Sequence, residues 1–331
     1  MSAAIAIAAG TVLLVVMFVD LVWTTLGVSY GSGPLTRVVL GLGWRAASPL
    51  RRRRAHGWQA AAGVTTVLAT LALWVVLLWA AWSLILLGPS RGIVDGASAA
   101  AGGWDRAYFA GYSLFTLGNG EFRPEGALWQ MLTVLTALSG LTIVSLAIAY
   151  LVLVASAAAE RHAVAVQISL LGSTPAEVAK AWATATDTAQ FEALVHSLAA
   201  PIVELTQRHL TYPVLHFFHG PEPRSSPPVA IAILDDALTM LLLGVALHAR
   251  PLGPGIQAVR RSIDDYLAMV AHNYGDDTHE PQPMALDTLA ATGVPVVDQR
   301  EFDAAVEELT PRRRALYRLA AAEGFSTQLD G

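Results

Sequence analysis

Residues 105–124 read D-R-A-Y-F-A-G-Y-S-L-F-T-L-G-N-G-E-F-R-P. The first half of this stretch is amphipathic and aromatic, and it runs into the hexapeptide Thr116-Leu117-Gly118-Asn119-Gly120-Glu121. Gly57–Ser90 before it and Gly126–Ala159 after it carry no charged side chain. About 20 mostly apolar residues are enough to cross a bilayer as a helix, so each flank is long enough to span and to tilt. A third such run, Ala3–Leu26, is interrupted late by Asp20. No basic side chain precedes it, as one would in a cleavable leader, so it is read as a retained span.

Composition divides the chain in the same place. Hydrophobic residues make up 54% of it and charged residues only 14%, against roughly 25% charged in soluble proteins. Residues 1–159 hold nine Arg and five acids, and residues 160–331 hold twelve Lys or Arg and twenty-one acids. An apolar, basic half followed by an acidic, more polar one points to a membrane domain and then a water-soluble one. No basic face with interleaved aromatics suggests a nucleic-acid partner, and the absence of Cys excludes disulfides and thiolate metal sites.

Arginine sets the expected orientation. Arg37, Arg45 and Arg51–Arg54 lie between the first and second runs, and Arg-rich loops stay in the cytoplasm. The N-terminus and residues 105–124 are then outside, and the chain beyond about residue 159 is inside, in agreement with Arg161. Trp58, Trp79, Trp82, Trp104 and Trp129 fall near the ends of the runs, where interfacial aromatics are expected. Asp20 is read as an interfacial carboxylate near Trp23 and the arginine loop. Leu35–Arg45 reads equally as an interfacial helix or a plain connector.

A short helix that falls into a glycine-punctuated loop between two spans is how a pore loop is written. A cation leaving water needs fixed oxygens in place of its hydration shell. Successive carbonyls face the same way only if alternate residues adopt left-handed dihedrals, which glycine does at little cost. Gly118 and Gly120 stand at alternate positions, Thr116 can add a hydroxyl ring, and the preceding helix directs its negative dipole end inward.

These residues resemble the potassium-channel pore family, whose signature is T-x-G-Y-G-D followed shortly by Pro. Thr116, Gly118 and Gly120 match it, and Pro124 follows. Tyr108-Phe109 falls where the family's pore helix has an aromatic pair. Gly140 stands where the family has its inner-helix hinge, and in that frame Leu141, Val144 and Ile148 share the pore-facing side. The likeness covers about residues 58–156. It implies filter residues Thr116, Leu117, Gly118, Asn119, Gly120 and Glu121, with Tyr108, Phe109 and Tyr112 as their support. It also implies a homotetramer in membrane lipid that conducts K+ or, less selectively, Na+ as well. Asn119 replaces the family's filter aromatic and Glu121 its acid. Asn119 can bond to Tyr108 or Tyr112 but cannot fill an aromatic's volume.

The expected fold class is an all-α membrane protein. Three transmembrane helices and a re-entrant pore helix with its filter precede an all-α cytoplasmic domain. The boundaries are 1–28 for the first span, 29–57 for the Arg-rich loop, 58–158 for the pore domain with its inner helix at 128–156, and 159–331 for the helical domain. Within the last, Thr174-Pro175-Ala176-Glu177 starts a helix to about Leu198. Others are expected near Pro201–Phe218, broken at Pro213, and at 229–249, 256–272, 298–309 and 311–323, with Thr310 capping the last. The 229–249 segment contains Asp235 and Asp236, each costly at a bilayer centre, so it is read as a buried soluble helix with its acids at an exposed edge. Asn273–Pro283 reads as an acidic loop in which Asp276, Asp277, His279 and Glu280 are solvated. His216 and His219, three apart, are the candidates for a shared metal. No nucleotide fingerprint, nucleophile motif or H-E-x-x-H marks a cofactor or catalytic site. The alternative to a cation channel is a non-conducting, pore-like sensor or scaffold that acts through its cytoplasmic domain.

Overall fold

The computed structural model describes residues 2–27, 31–51, 56–88, 91–218, 222–251, 253–270 and 280–325. The chain forms two compact units, residues 1–44 with 64–154 and residues 45–63 with 155–331. Among the described residues four helices are long and apolar enough to cross a membrane.

Three of the four belong wholly or partly to the first unit: α1 (Ala3–Leu26), α3 (His56–Leu86) and α5 (Ala127–Ser169). In each, about a third or less of the apolar window is buried within the chain, which leaves a broad apolar face outward. At 43 residues α5 is about 65 Å long, roughly twice the ~30 Å hydrocarbon thickness. It extends to Ser169, past both the inner helix expected to end at 156 and the uncharged run ending at 159, and its portion from Ala155 belongs to the second unit. Gly10 brings α1 close to α3, since a Cβ there would overlap the Ala81 carbonyl oxygen.

Residues 34–51 resolve the open reading of the arginine loop. They form α2 (Pro34–Arg51), and its first turn is capped by another helix. Asp20 of α1 is fully buried. Its Oδ1 accepts the amides of Leu35 and Thr36 at 2.7 and 3.1 Å, and its Oδ2 accepts the Thr36 hydroxyl at 2.7 Å and the Trp74 indole N–H of α3 at 2.8 Å. The carboxylate thus does for α2 what an N-cap side chain does within one helix, and it ties three helices together. Leu35 and Thr36 belong to the Arg-rich segment beside which Asp20 was expected, and burial with four specific donors is what the sequence did not announce. Gly33 is needed there because a Cβ would overlap the Asp20 carboxylate.

Between α3 and α5 lie β1 (Ile93–Asp95), α4 (Gly103–Leu114) and β2 (Phe122–Pro124). The strands pair antiparallel, Ile93 opposite Pro124 and Asp95 opposite Phe122. Three-residue strands leave too little alternation to stand out in sequence, so this ribbon was not foreseen.

The second unit is helical: α6 (Pro175–Ala183), α7 (Thr188–His196), α8 (Ala199–Thr211), α9 (Pro227–Thr239), α10 (Pro254–Val270), α11 (Asp287–Ala290), α12 (Gln299–Glu307) and α13 (Thr310–Ala322). The helix expected from Pro175 to Leu198 is two helices, because Asp187 caps a new start by accepting from Ala189 and Gln190. Pro213 ends α8, and a 3-10 segment Pro213–Phe217 follows. The segment expected to be helical to residue 249 passes through a π turn at Met240–Gly244 and a 3-10 turn at Leu247–Ala249. Thr310 is the first helical residue of α13 and does not cap it, whereas Gly324, at φ 89°, ends it as read.

The fourth apolar helix, α9, is the core of this unit. Its window is 89% buried, and it contacts α6, α10 and α13. Asp235 and Asp236 are buried and not at an exposed edge. Asp235 takes Arg312 through both oxygens at 2.8 Å. Asp236 takes Arg313 at 2.8 and 2.9 Å and the Tyr317 hydroxyl at 2.8 Å. The run Arg312-Arg313-Arg314 is the signal that sequence reading passed over. Arg161 is also buried and pairs with Glu323, which also accepts from Ser226. Arg161 thus also has a packing role that its place just past the third run did not announce.

Candidate functional site

α4 sets up the hexapeptide. Asp105, at its third residue, accepts the Gly102 amide at 2.9 Å and closes the first turn. Arg106 is buried and donates to the carbonyls of Ala101, Leu86 and Gly88 at 2.9–3.0 Å, which satisfies carbonyls at the end of α3. The far end of α4 closes in a Schellman motif. The Thr116 amide donates to Ser113 and the Leu117 amide to Tyr112, at 3.1 and 2.8 Å. That motif requires a left-handed residue after the cap, and Thr116 supplies it at φ 55°.

Gly118 and Gly120 follow at φ 58° and 76°, while Leu117 and Asn119 between them are not left-handed. Left-handed residues therefore alternate at 116, 118 and 120, the pattern that turns successive carbonyls toward one side. Thr116 is the costly member, because a β-branched residue at positive φ is an outlier and strain of this kind collects at functional sites. Residues 115–121 are all exposed, and a Cβ at Gly118 or Gly120 would meet nothing within 4 Å. Backbone conformation is what calls for glycine there.

Behind the loop is an aromatic cluster. Phe109 and Tyr112 are buried, with ring centroids 5.2 Å apart. Tyr108 lies edge-on to Tyr112 at 5.3 Å and to Phe122 at 6.5 Å. Asn119 donates to the Tyr108 hydroxyl at 2.8 Å, and Tyr112 donates to the Phe122 carbonyl. Asn119 thus uses the first of its two expected partners, and Tyr112 secures the chain leaving the loop. The Glu121 amide lies 3.3 Å from the Asn119 side-chain oxygen. The ribbon of β1 and β2 then holds residues 122–124.

Gly140 lies inside unbroken helix, and a Cβ there would overlap the Leu114 carbonyl oxygen of α4. Whatever bending it permits, it is first a point of close approach between α5 and the end of α4. Leu141, Val144 and Ile148 on α5 are 62%, 41% and 59% exposed. Sequence reading missed the tryptophans' part in this arrangement. Trp79 donates to the Ala107 carbonyl and the buried Trp82 to the Ser139 hydroxyl, at 2.9 and 2.8 Å. Those two hold α4 and α5 against α3, whereas Trp104, 74% exposed, remains free to lie at an interface.

The candidate metal pair divides. His219 lies outside the described residues, and His216 is buried beside His209, ring centroids 5.3 Å apart. His209 donates Nδ1–H to the Leu205 carbonyl at 2.9 Å. Burial, then the neighbouring His216 and Arg161, hold its pKa well below the ordinary histidine value. Among the described residues no three His, Asp or Glu side chains are grouped to hold a metal. Of the acidic loop, Asp276, Asp277 and His279 lie outside the described residues, and Glu280 pairs with Arg314 at 2.7 Å.

Comparison with known proteins finds a family model over this part of the chain and a relative along most of its length. Residues 65–157, which run from within α3 into α5, match the family model described as "Ion channel" (Ion_trans_2). A Bacillus subtilis (strain 168) protein, described as the uncharacterized membrane protein YdjJ, is 31% identical over 314 residues, covering 94% of this chain and 91% of that one. No solved structure matches.

Proposed function

Since the chain belongs to the family of the Bacillus subtilis membrane protein YdjJ and is a multi-pass membrane protein with an ion-channel domain, we propose that it is one subunit of a homotetrameric channel for monovalent cations, with potassium preferred. In this reading Thr116–Glu121 is a quarter of the selectivity filter. Tyr108, Phe109 and Tyr112 support it, Gly140 seats and hinges the inner helix, and Leu141, Val144 and Ile148 line the pore. The filter faces outward, and the second unit is cytoplasmic.

The observation that carries the reading is the alternation of left-handed residues at 116, 118 and 120 directly beyond the C-terminus of α4. A backbone of this kind serves as a ligand for a desolvated cation, and its exposure leaves it open to identical neighbours. One loop per chain needs four copies to close a ring. Selectivity depends on Asn119, which ties the loop to Tyr108 by a hydrogen bond and leaves the volume of an aromatic unfilled.

The test is purified protein in liposomes under opposed potassium and sodium gradients. The expected result is a cation current reversing toward the potassium potential and abolished by bulky residues at 118 and 120. A reversal near zero would overturn the potassium preference. Absence of flux from correctly assembled tetramers would favour the sensor or scaffold reading.

A further inference from the structure

The second unit contains a cavity of about 550 Å³, within the roughly 300–1,000 Å³ of small-molecule sites. Its floor is apolar. Ile168 from the last turns of α5 and Val229, Ala230 and Ile233 from the first turns of α9 are all buried. Its rim carries the ion pair Glu222–Arg224, in which Arg224 Nε donates to Glu222 Oε2 at 2.6 Å. The terminal nitrogens of Arg224 have no partner among the described residues, and the side chain is 73% exposed. A cavity with an apolar floor and, at its mouth, a guanidinium whose two terminal nitrogens remain open has the polarity of a site for an amphipathic anion, because those two nitrogens can bind a carboxylate through two parallel bonds.

We propose that this cavity binds a small aliphatic carboxylate, with its chain against Ile168, Ala230 and Ile233 and its headgroup on Arg224. We propose further that occupancy regulates the pore, because α5 carries both Ile168 and Ser169 of the cavity and Leu141, Val144 and Ile148. The regulatory half rests on the channel reading above, whereas binding does not. Glu222 occupies one edge of the guanidinium and competes for the incoming headgroup, so its removal frees the fork.

The probe is octanoate, titrated calorimetrically into the full-length protein in lipid nanodiscs with empty nanodiscs subtracted and 1-octanol as the neutral control. Saturable octanoate binding is expected, weakened about tenfold, equivalent to one charge-assisted contact, by Arg224→Gln and strengthened by Glu222→Gln. Ser169→Phe, a partly buried position that fills the chamber without touching the ion pair, should abolish it. Equal binding of octanol with no effect of Arg224→Gln would overturn the headgroup assignment, and failure of octanoate to saturate would overturn the site. In liposome flux, octanoate should change the wild-type rate and leave Arg224→Gln unaffected. Binding with unchanged flux, or with no basal flux, would overturn the regulatory half and leave the site standing.

Discussion

The exposed loop at residues 116–121 and the buried carboxylates of α9 handle polar groups in opposite ways. In the loop, three left-handed residues hold a polar backbone open, and neighbouring atoms leave room for a side chain at both glycines. In α9, Asp235 and Asp236 accept from Arg312, Arg313 and Tyr317, and their satisfaction is complete within one chain. On the channel reading proposed above, the first arrangement is unfinished in a single copy, whereas the second is closed. A group proposed to exchange ligands is kept free of partners, and a group that holds a fold is given all of them.

The contrast is broken most sharply by moving side chains onto the loop. Gly118→Ala with Gly120→Ala makes the positive φ at both positions unfavourable by about 1–2 kcal/mol per residue, and the exposed loop escapes that cost by giving up the alternation rather than by unfolding the chain. Liposome flux should fall by more than an order of magnitude while the thermal midpoint of the purified protein barely moves. A large drop in the midpoint would show that the loop also supports the fold. Asp236→Ala is the reverse experiment. It strands Arg313 in the interior, which costs about 3–5 kcal/mol, and should appear first as a lowered melting temperature.

Gly140→Ala lies between these extremes, because it adds bulk where α5 meets the Leu114 carbonyl. Overpacking of about 1–3 kcal/mol is expected, seen as a lowered melting temperature together with altered flux. If the melting temperature is unchanged and only gating shifts, hinge motion outweighs packing at this glycine. The smallest effect is from pH. His209 is buried neutral, with its pKa depressed in the folded state, so the unfolded chain binds the extra proton below about pH 6.5. Stability is therefore fully present above that value and falls as pH drops, by up to about 1.4 kcal/mol per unit. Melting curves at pH 5.5 and 7.5 should show a smaller difference in His209→Gln than in the wild type.

How much of this was legible in sequence depended on the range of the signal. Hydrophobic run length gave α1 at its observed bounds, and it placed α3 and the start of α5, because bilayer thickness imposes itself on local sequence. The glycine alternation was visible because a left-handed backbone restricts residue type at each position separately. Partnerships across long separations were not visible. Asp20 reads as a neighbour of the Arg-rich segment, where Leu35 and Thr36 do bind it, but nothing local announces Trp74 as its further partner 54 residues away. Asp235 and Asp236 were placed at a surface because their arginines lie 77 residues on. Trp79 and Trp82 looked like interfacial anchors because their position along a span says nothing about which way they face.

The capping of α2 by Asp20 has a consequence for biogenesis. A first span delivered to the bilayer alone carries an aspartate, toward its far end, whose donors have not yet been made and whose burial without them is unfavourable. Those donors are the first turn of α2 and the indole of Trp74, both synthesised later. Insertion is therefore most favourable when the translocon retains α1 until α3 emerges and releases the three helices as a single packet. Asp20 then acts as a checkpoint on the order of assembly long before any ion reaches the pore.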